Sequence, residues 1–188
     1  MSNSFLPTDY EAPAQATGNY LNISKIPNDK PIKIRILGSA VVGYEYWTEE
    51  NKPIRSKKAF QEIPTDARLD DKNQFTSKHF WAFPIWVYPN ECGVEEGVKI
   101  FEVTQQTIRH TLEALINNED WGSPEDINKT GFLYDIAIVK TGEKLTTKYT
   151  LTPAPINKKT DPEMQMHTFN EMKIDLSKLF SGENPFAM

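Results

Sequence analysis

The stretch Lys78-His79-Phe80-Trp81-Ala82-Phe83-Pro84-Ile85-Trp86-Val87-Tyr88 decides how this chain is read. Period-two alternation puts Phe80, Ala82, Pro84, Trp86 and Tyr88 on one face of a strand and Trp81, Phe83, Ile85 and Val87 on the other. Both faces carry large rings, which is more aromatic surface than one strand needs to fill a small core. Rings turned inward have an ordinary reason to exist; rings turned outward cost solubility and mark a recognition surface. Alternation does not say which face is open. Either the Trp81 and Phe83 set or the Phe80, Trp86 and Tyr88 set is the candidate, and a strand buried on both faces is the competing reading.

The flanks supply the rest of a β-rich domain. Pro31 to Leu37 alternates, with Ile32, Ile34 and Ile36 on one face and Lys33 and Arg35 presented outward on the other. Gly38 and Gly43 invite a bulge or bend before Tyr44, Tyr46 and Trp47, giving a long curved first strand. A second strand is expected over Ile54 to Phe60, then a long polar loop from Pro64 to Ser77. Asn90 to Gly97 reads as a turn into a returning strand, Val98 to Val103. The period then changes: Thr104 is a candidate N-cap, and Ile108, Leu112, Leu115 and Ile116 form one helical stripe up to Asn117. Asn118 and the Trp121-Gly122-Ser123-Pro124 turn end that helix. Strands Phe132 to Lys140 and Leu145 to Thr152 follow, joined by Thr141-Gly142-Glu143-Lys144, and Pro153 and Pro155 close the sheet. This order predicts an all-β domain with one main helix, a five-stranded Greek-key barrel of the oligonucleotide-binding type with the helix between strands three and four. It occupies residues 20–155, after a flexible arm (1–19) and before a largely flexible tail (156–188) with at most a short helix around Ile174 to Phe180.

Composition excludes several classes. The single cysteine, Cys92, cannot form an internal disulfide, so a reducing compartment is expected. The N-terminus lacks a basic segment followed by an apolar core, and no apolar run approaches membrane-spanning length, so a cytoplasmic protein without a membrane role is expected. A net charge of −5 argues against a polyanionic ligand only on average. The segment from Lys52 to Phe60 holds four cations and no acid, a local basic stripe within an acidic chain, although a solvated charged loop is the commoner meaning of such a run.

Enzyme readings fare poorly, and no catalytic residue or cofactor is expected. Cys92 lies in a turn beside Glu91, Glu95 and Glu96, which raise a thiol pKa rather than lower it. His79, Cys92, His110 and His167 are too scattered for a zinc site, and His110 reads as a helix-surface residue. Gly142-Glu143-Lys144 is a hairpin turn rather than a phosphate-cradling loop. The acid pairs Glu49-Glu50 and Asp70-Asp71 lie in loops without a third magnesium ligand.

Taken together, Lys33-Ile34-Arg35-Ile36-Leu37-Gly38, Gly43-Tyr44-Glu45-Tyr46-Trp47, Phe80-Trp81-Ala82-Phe83-Pro84-Ile85-Trp86, Glu102-Val103-Thr104-Gln105, Trp121-Gly122 and Tyr134-Asp135-Ile136 resemble the single-stranded DNA-binding proteins of tailed bacteriophages. The resemblance covers about Tyr20 to Thr152. It implies a protein of the bacterial host cytoplasm that coats single strands, with little sequence preference, during phage replication or recombination. It places Tyr44, Tyr46, Trp47, Phe60, Trp81, Phe83, Trp86 and Tyr88 at the bases, and Arg35, Arg55, Lys57 and Lys58 at the phosphates. Pro185-Phe186 is similar to the Pro-Phe terminus by which bacterial single-strand binding proteins dock replication partners, but here Ala187 and Met188 follow the phenylalanine; an apolar residue anchoring the C-terminus is the alternative. The rival function is a protein-binding phage factor that uses the aromatic patch to engage a host or phage enzyme.

Overall fold

The computed structural model describes residues 18–122, 134–156 and 160–186. The expected arm up to residue 17, Ser123-Pro124, the first two residues of the expected strand at 132–140, and Ala187-Met188 lie outside them. The described chain runs β1 (Ile32–Ile36), β2 (Val41–Trp47), β3 (Pro53–Ser56), β4 (Lys78–Val87), β5 (Gly97–Val103), α1 (Gln106–Ile116), β6 (Asp135–Thr141), β7 (Lys148–Ala154) and α2 (Pro162–Glu171), then a 3-10 turn at Leu176–Phe180. The strands form one open antiparallel sheet of seven, ordered β3-β2-β4-β1-β6-β7, with β5 on the other edge of β4.

β4 is the axis of the sheet. β5 pairs along Trp81 to Val87, whereas the opposite edge is shared: β2 pairs with Lys78 to Ala82 and β1 with Ile85 to Val87. The curved first strand read from the sequence is therefore two strands, broken at residues 37–40. Pro84 explains where the break falls. Its carbonyl accepts from the Leu37 N–H at 3.0 Å, so its missing N–H faces the same edge, and the ladder has no donor to offer there. Gly43, which the sequence reading makes a bend, sits inside β2 for another reason. A Cβ there would stand 2.6 Å from the Ser56 carbonyl oxygen and 2.7 Å from Phe180 Cε1, so glycine permits a close approach.

Other boundaries shift modestly. The expected second strand shortens to Pro53–Ser56, and the helix starts after Gln105 rather than at Thr104, with no side-chain cap. The larger departure is the tail. Asp161 caps α2 by accepting from the Glu163 and Met164 N–H groups, with Pro162 opening the helix, and Asp175 caps the turn after it. Where a largely flexible tail is expected, Gln165, Leu176, Leu179 and Pro185 are buried.

Each sheet face thus has its own cover. On the first, Ile32, Ile34, Ile36, Phe83, Ile85, Val87, Phe101, Val103, Ile136, Ile138 and Leu151 form the main core beneath Ile108 and Leu112 of α1. On the second, Leu37, Trp86, Tyr88 and Val98 pack against Met166, Phe169 and Met172, while Phe80, Ala82 and Ile100 pack against Leu176 and Leu179. Among the described residues no helix is long and apolar enough to cross a membrane.

Candidate functional site

The first face outruns its cover. α1 packs against β7 and reaches β4 where Leu112 and Ile116 stand beside Phe83 and Trp81, but the β2-β3 end of the sheet continues past it. In β2, Val42 stands opposite Trp81 of β4, and Tyr44 stands opposite His79 on one side and Ser56 of β3 on the other. Alternation turns all of these to the first face. Val42 is 45% exposed and Ile54, on the neighbouring β3, 39%; Tyr44, His79 and Trp81 are half-buried. A small cleft of about 60 Å³ continues the patch under α1, lined by Ile36, Gly38, Ala40, Trp81, Phe83, Leu112 and Ile116.

Tyr44 and His79 lie with ring centroids 5.0 Å apart at 45°. The Nη1 of Arg109, from the first turn of α1, donates to Nδ1 of His79. A guanidinium can only donate, so Nδ1 must be the bare nitrogen, and the imidazole is neutral with its proton on Nε2. Burial, then the Arg109 charge, pulls the His79 pKa below its ordinary value, against the opposite influence of Glu113. The Nε of Arg109 and the Nε1 of Trp81 are buried without a hydrogen-bond partner among the described residues.

Of the twelve residues singled out in the sequence, the structure brings Tyr44 and Trp81 together on this open patch. Lys57 and Lys58 follow Ser56 and are exposed, with no ion pair among the described residues; the Lys57 ammonium lies 5.6 Å from the Phe180 ring centroid. Trp47 is 38% exposed, but alternation turns it to the opposite face of the hairpin. Phe60 is half-buried, edge-on to Tyr46 at 4.9 Å, in a cluster completed by Phe75.

The other residues are corrections. Tyr46 is buried in that cluster, its hydroxyl donating to Asp66 at 2.9 Å, with burial and this bond raising its pKa. Phe83 is core, edge-on to Phe101 at 5.5 Å. Trp86 and Tyr88 are buried because α2 covers their face. Arg35, expected outward, is fully buried: it donates to Asp135 of β6 at 2.8 Å and to Gln165 of α2 at 2.8 Å. Lys33 pairs with the same carboxylate at 3.0 Å. The Tyr88 hydroxyl donates to Asp135 at 3.2 Å, and its pKa is pushed up to about 12, first by burial. Arg55 is bound between Glu45 at 3.2 Å and Glu102 at 2.8 Å, over the Phe80 ring. Cations inside a covered face need counter-charges, and these two arginines have them.

Sequence reasoning missed His79 and Arg109 as site residues. The available signal was the spacing of Arg109 three and seven residues before Leu112 and Ile116, which puts it on the flank of the apolar stripe of α1. Elsewhere, burial is the main cause of a raised Cys92 pKa, and His110 is exposed on α1. Asp70 accepts from the Lys72 and Gln74 N–H groups in a turn, and Glu50 pairs with Lys52 at 2.8 Å. No group of three or more His, Cys, Asp or Glu side chains among the described residues could hold a metal ion. Phe186 packs edge-on to Tyr20 at 6.1 Å, beside the buried Pro185.

No family model matches this chain, and no curated protein matches it.

Proposed function

We propose that this protein binds single-stranded DNA with little sequence preference during phage replication or recombination. Unpaired bases lie on Tyr44 and Trp81 at the open end of the first face, and Lys58 approaches the phosphates, whereas Lys57 lies over Phe180 in the cover of the second face. One observation carries the reading: along β4 nearly every large ring is buried, yet Trp81 stays partly exposed, beside the partly exposed Tyr44, where α1 ends its cover. Flat rings of this kind suit nucleobases of any sequence, because every base has a π-face. The barrel of the oligonucleotide-binding type belongs to the same proposal. In it β1 and β2 act as the two arms of one bent strand, and α1 stands on the connection from β5 to β6. Docking of replication proteins by the C-terminal segment is a further part of it.

Titrating the intrinsic tryptophan fluorescence with oligo-deoxythymidine at two salt concentrations tests the reading. Saturable quenching is expected, weakening with salt at a log-log slope of about −0.7 per phosphate neutralised. Absence of a saturable change sinks the proposal. A protein-binding role for Val42 and Ile54 predicts instead a partner contact that salt barely weakens, and shortened oligonucleotide in the presence of magnesium points to a nuclease.

A further inference from the structure

The four arginines of this chain are used unequally. Arg35 and Arg55 are neutralised by carboxylates, and Arg68 donates to Asn51 on an exposed loop. Arg109 is half-buried and has no carboxylate partner among the described residues, the one hydrogen bond of its side chain being to the uncharged His79 ring. Its Nε is buried without a partner, while Nη2 is neither bonded nor among the buried atoms, so it reaches the surface. A guanidinium partly withdrawn from water without a counter-charge is a costly arrangement that an anion relieves. Its fork is held in place by His79 at the edge of the Tyr44 and Trp81 patch, and such a fork matches the oxygens of a phosphate.

We propose that Arg109 is the phosphodiester-binding cation of this groove and that His79 is its positioning residue, holding the guanidinium beside the rings on which the adjoining base lies. This rests on the reading of the groove as a single-strand site.

The test uses the full chain, oligo-deoxythymidine titrations at several salt concentrations, and melting curves for each variant. Arg109→Gln is expected to weaken binding about tenfold, as for loss of a charge-assisted hydrogen bond, and to flatten the log-log salt slope by about 0.7. Arg109→Lys keeps the slope but loses part of the affinity, because an ammonium lacks the fork. His79→Gln, whose amide oxygen accepts from Arg109, retains more affinity than His79→Phe, which keeps a ring but no acceptor. If wild type binds and Arg109→Gln matches it in both affinity and slope, this inference falls while the proposed function stands. If wild type does not bind, both fall. Should Arg109→Gln unfold, Arg109→Lys decides: wild-type affinity in that variant overturns the proposal.

Discussion

The two faces of β4 carry similar side chains and meet different fates. Phe80, Trp86 and Tyr88 on one face are as aromatic as Trp81 and Phe83 on the other, and Arg35 and Arg55 bring cations to the first of these sets as Arg109 does to the second. What separates them is cover. The C-terminal segment lies across the Phe80-Trp86-Tyr88 face from end to end, so its rings become core and its cations acquire Asp135, Glu45 and Glu102 as partners. α1 spans only part of the other face and leaves Tyr44, His79 and Trp81 at the rim. Aromatic content alone does not mark a recognition surface; the reach of the covering element does.

Removing that cover should produce the largest effect. Deleting residues 160–188 uncovers two apolar clusters at once and takes Gln165 away from Arg35. We expect loss of cooperative unfolding in urea, because the loss exceeds the 3–5 kcal/mol typical of a single large core truncation and approaches the whole stability of a small domain. A truncated chain that melts with the full-length protein would show that the second face does not depend on its cover.

Single substitutions divide the two faces more finely. Trp86→Ala should cost about 3–5 kcal/mol of stability, since it empties a buried site among Leu37, Tyr88 and Val98. Trp81→Ala should retain much more of the melting temperature and lose about 1–3 kcal/mol of single-strand affinity. Urea melts and titrations on both variants measure the contrast, and equal destabilisation with unchanged affinity erases it. A smaller loss is expected from Gly43→Ala, about 1–3 kcal/mol, as the new methyl meets the Ser56 carbonyl and the Phe180 ring. Pairing it with Phe180→Ala should recover part of that loss, if the tail ring is what the glycine admits.

Much of this scaffold was legible in the chain. The isoleucine alternation located β1, the aromatic run located β4, the turn at residues 90–97 located the β4-β5 hairpin, and the Ile108-Leu112 spacing located α1. The cover of the second face was not, for a physical reason. Alternation reports that a strand has two sides and says nothing of what lies on them. Met164, Met166, Phe169 and Met172 form no clean helical stripe, so α2 was announced only by its Asp161-Pro162 start. Arg35 reads as outward because its partner Asp135 is 100 residues away in sequence, where no local pattern reaches. Of the candidate site, Tyr44 and Trp81 were readable as aromatic. His79 and Arg109 were not, because their pairing exists only once the first turn of α1 has docked beside the start of β4.

Acid titration offers the smallest and most discriminating comparison, because the faces should respond with opposite sign. On the second face, burial raises the Glu102 pKa above its ordinary 4.5, with Arg55 opposing and Glu45 adding. The unfolded chain therefore ionises first as pH rises. The favourable contribution of Glu102 is present below about pH 4.5 and is lost as pH climbs through the folded value. On the first face, burial and Arg109 depress His79 below its ordinary 6.5, with Glu113 of α1 opposing and the Tyr44 ring alongside. Here the unfolded chain takes up a proton that the folded one refuses, so stability is lost as pH falls from about 6.5 toward the folded value. Urea midpoints between pH 4 and 8 should show His79→Gln flattening the acid-side loss and Glu102→Gln flattening the loss on the alkaline side of pH 4.5. Parallel curves for wild type and His79→Gln would mean that His79 is not held neutral by its surroundings, and would remove the basis for its role in fixing Arg109.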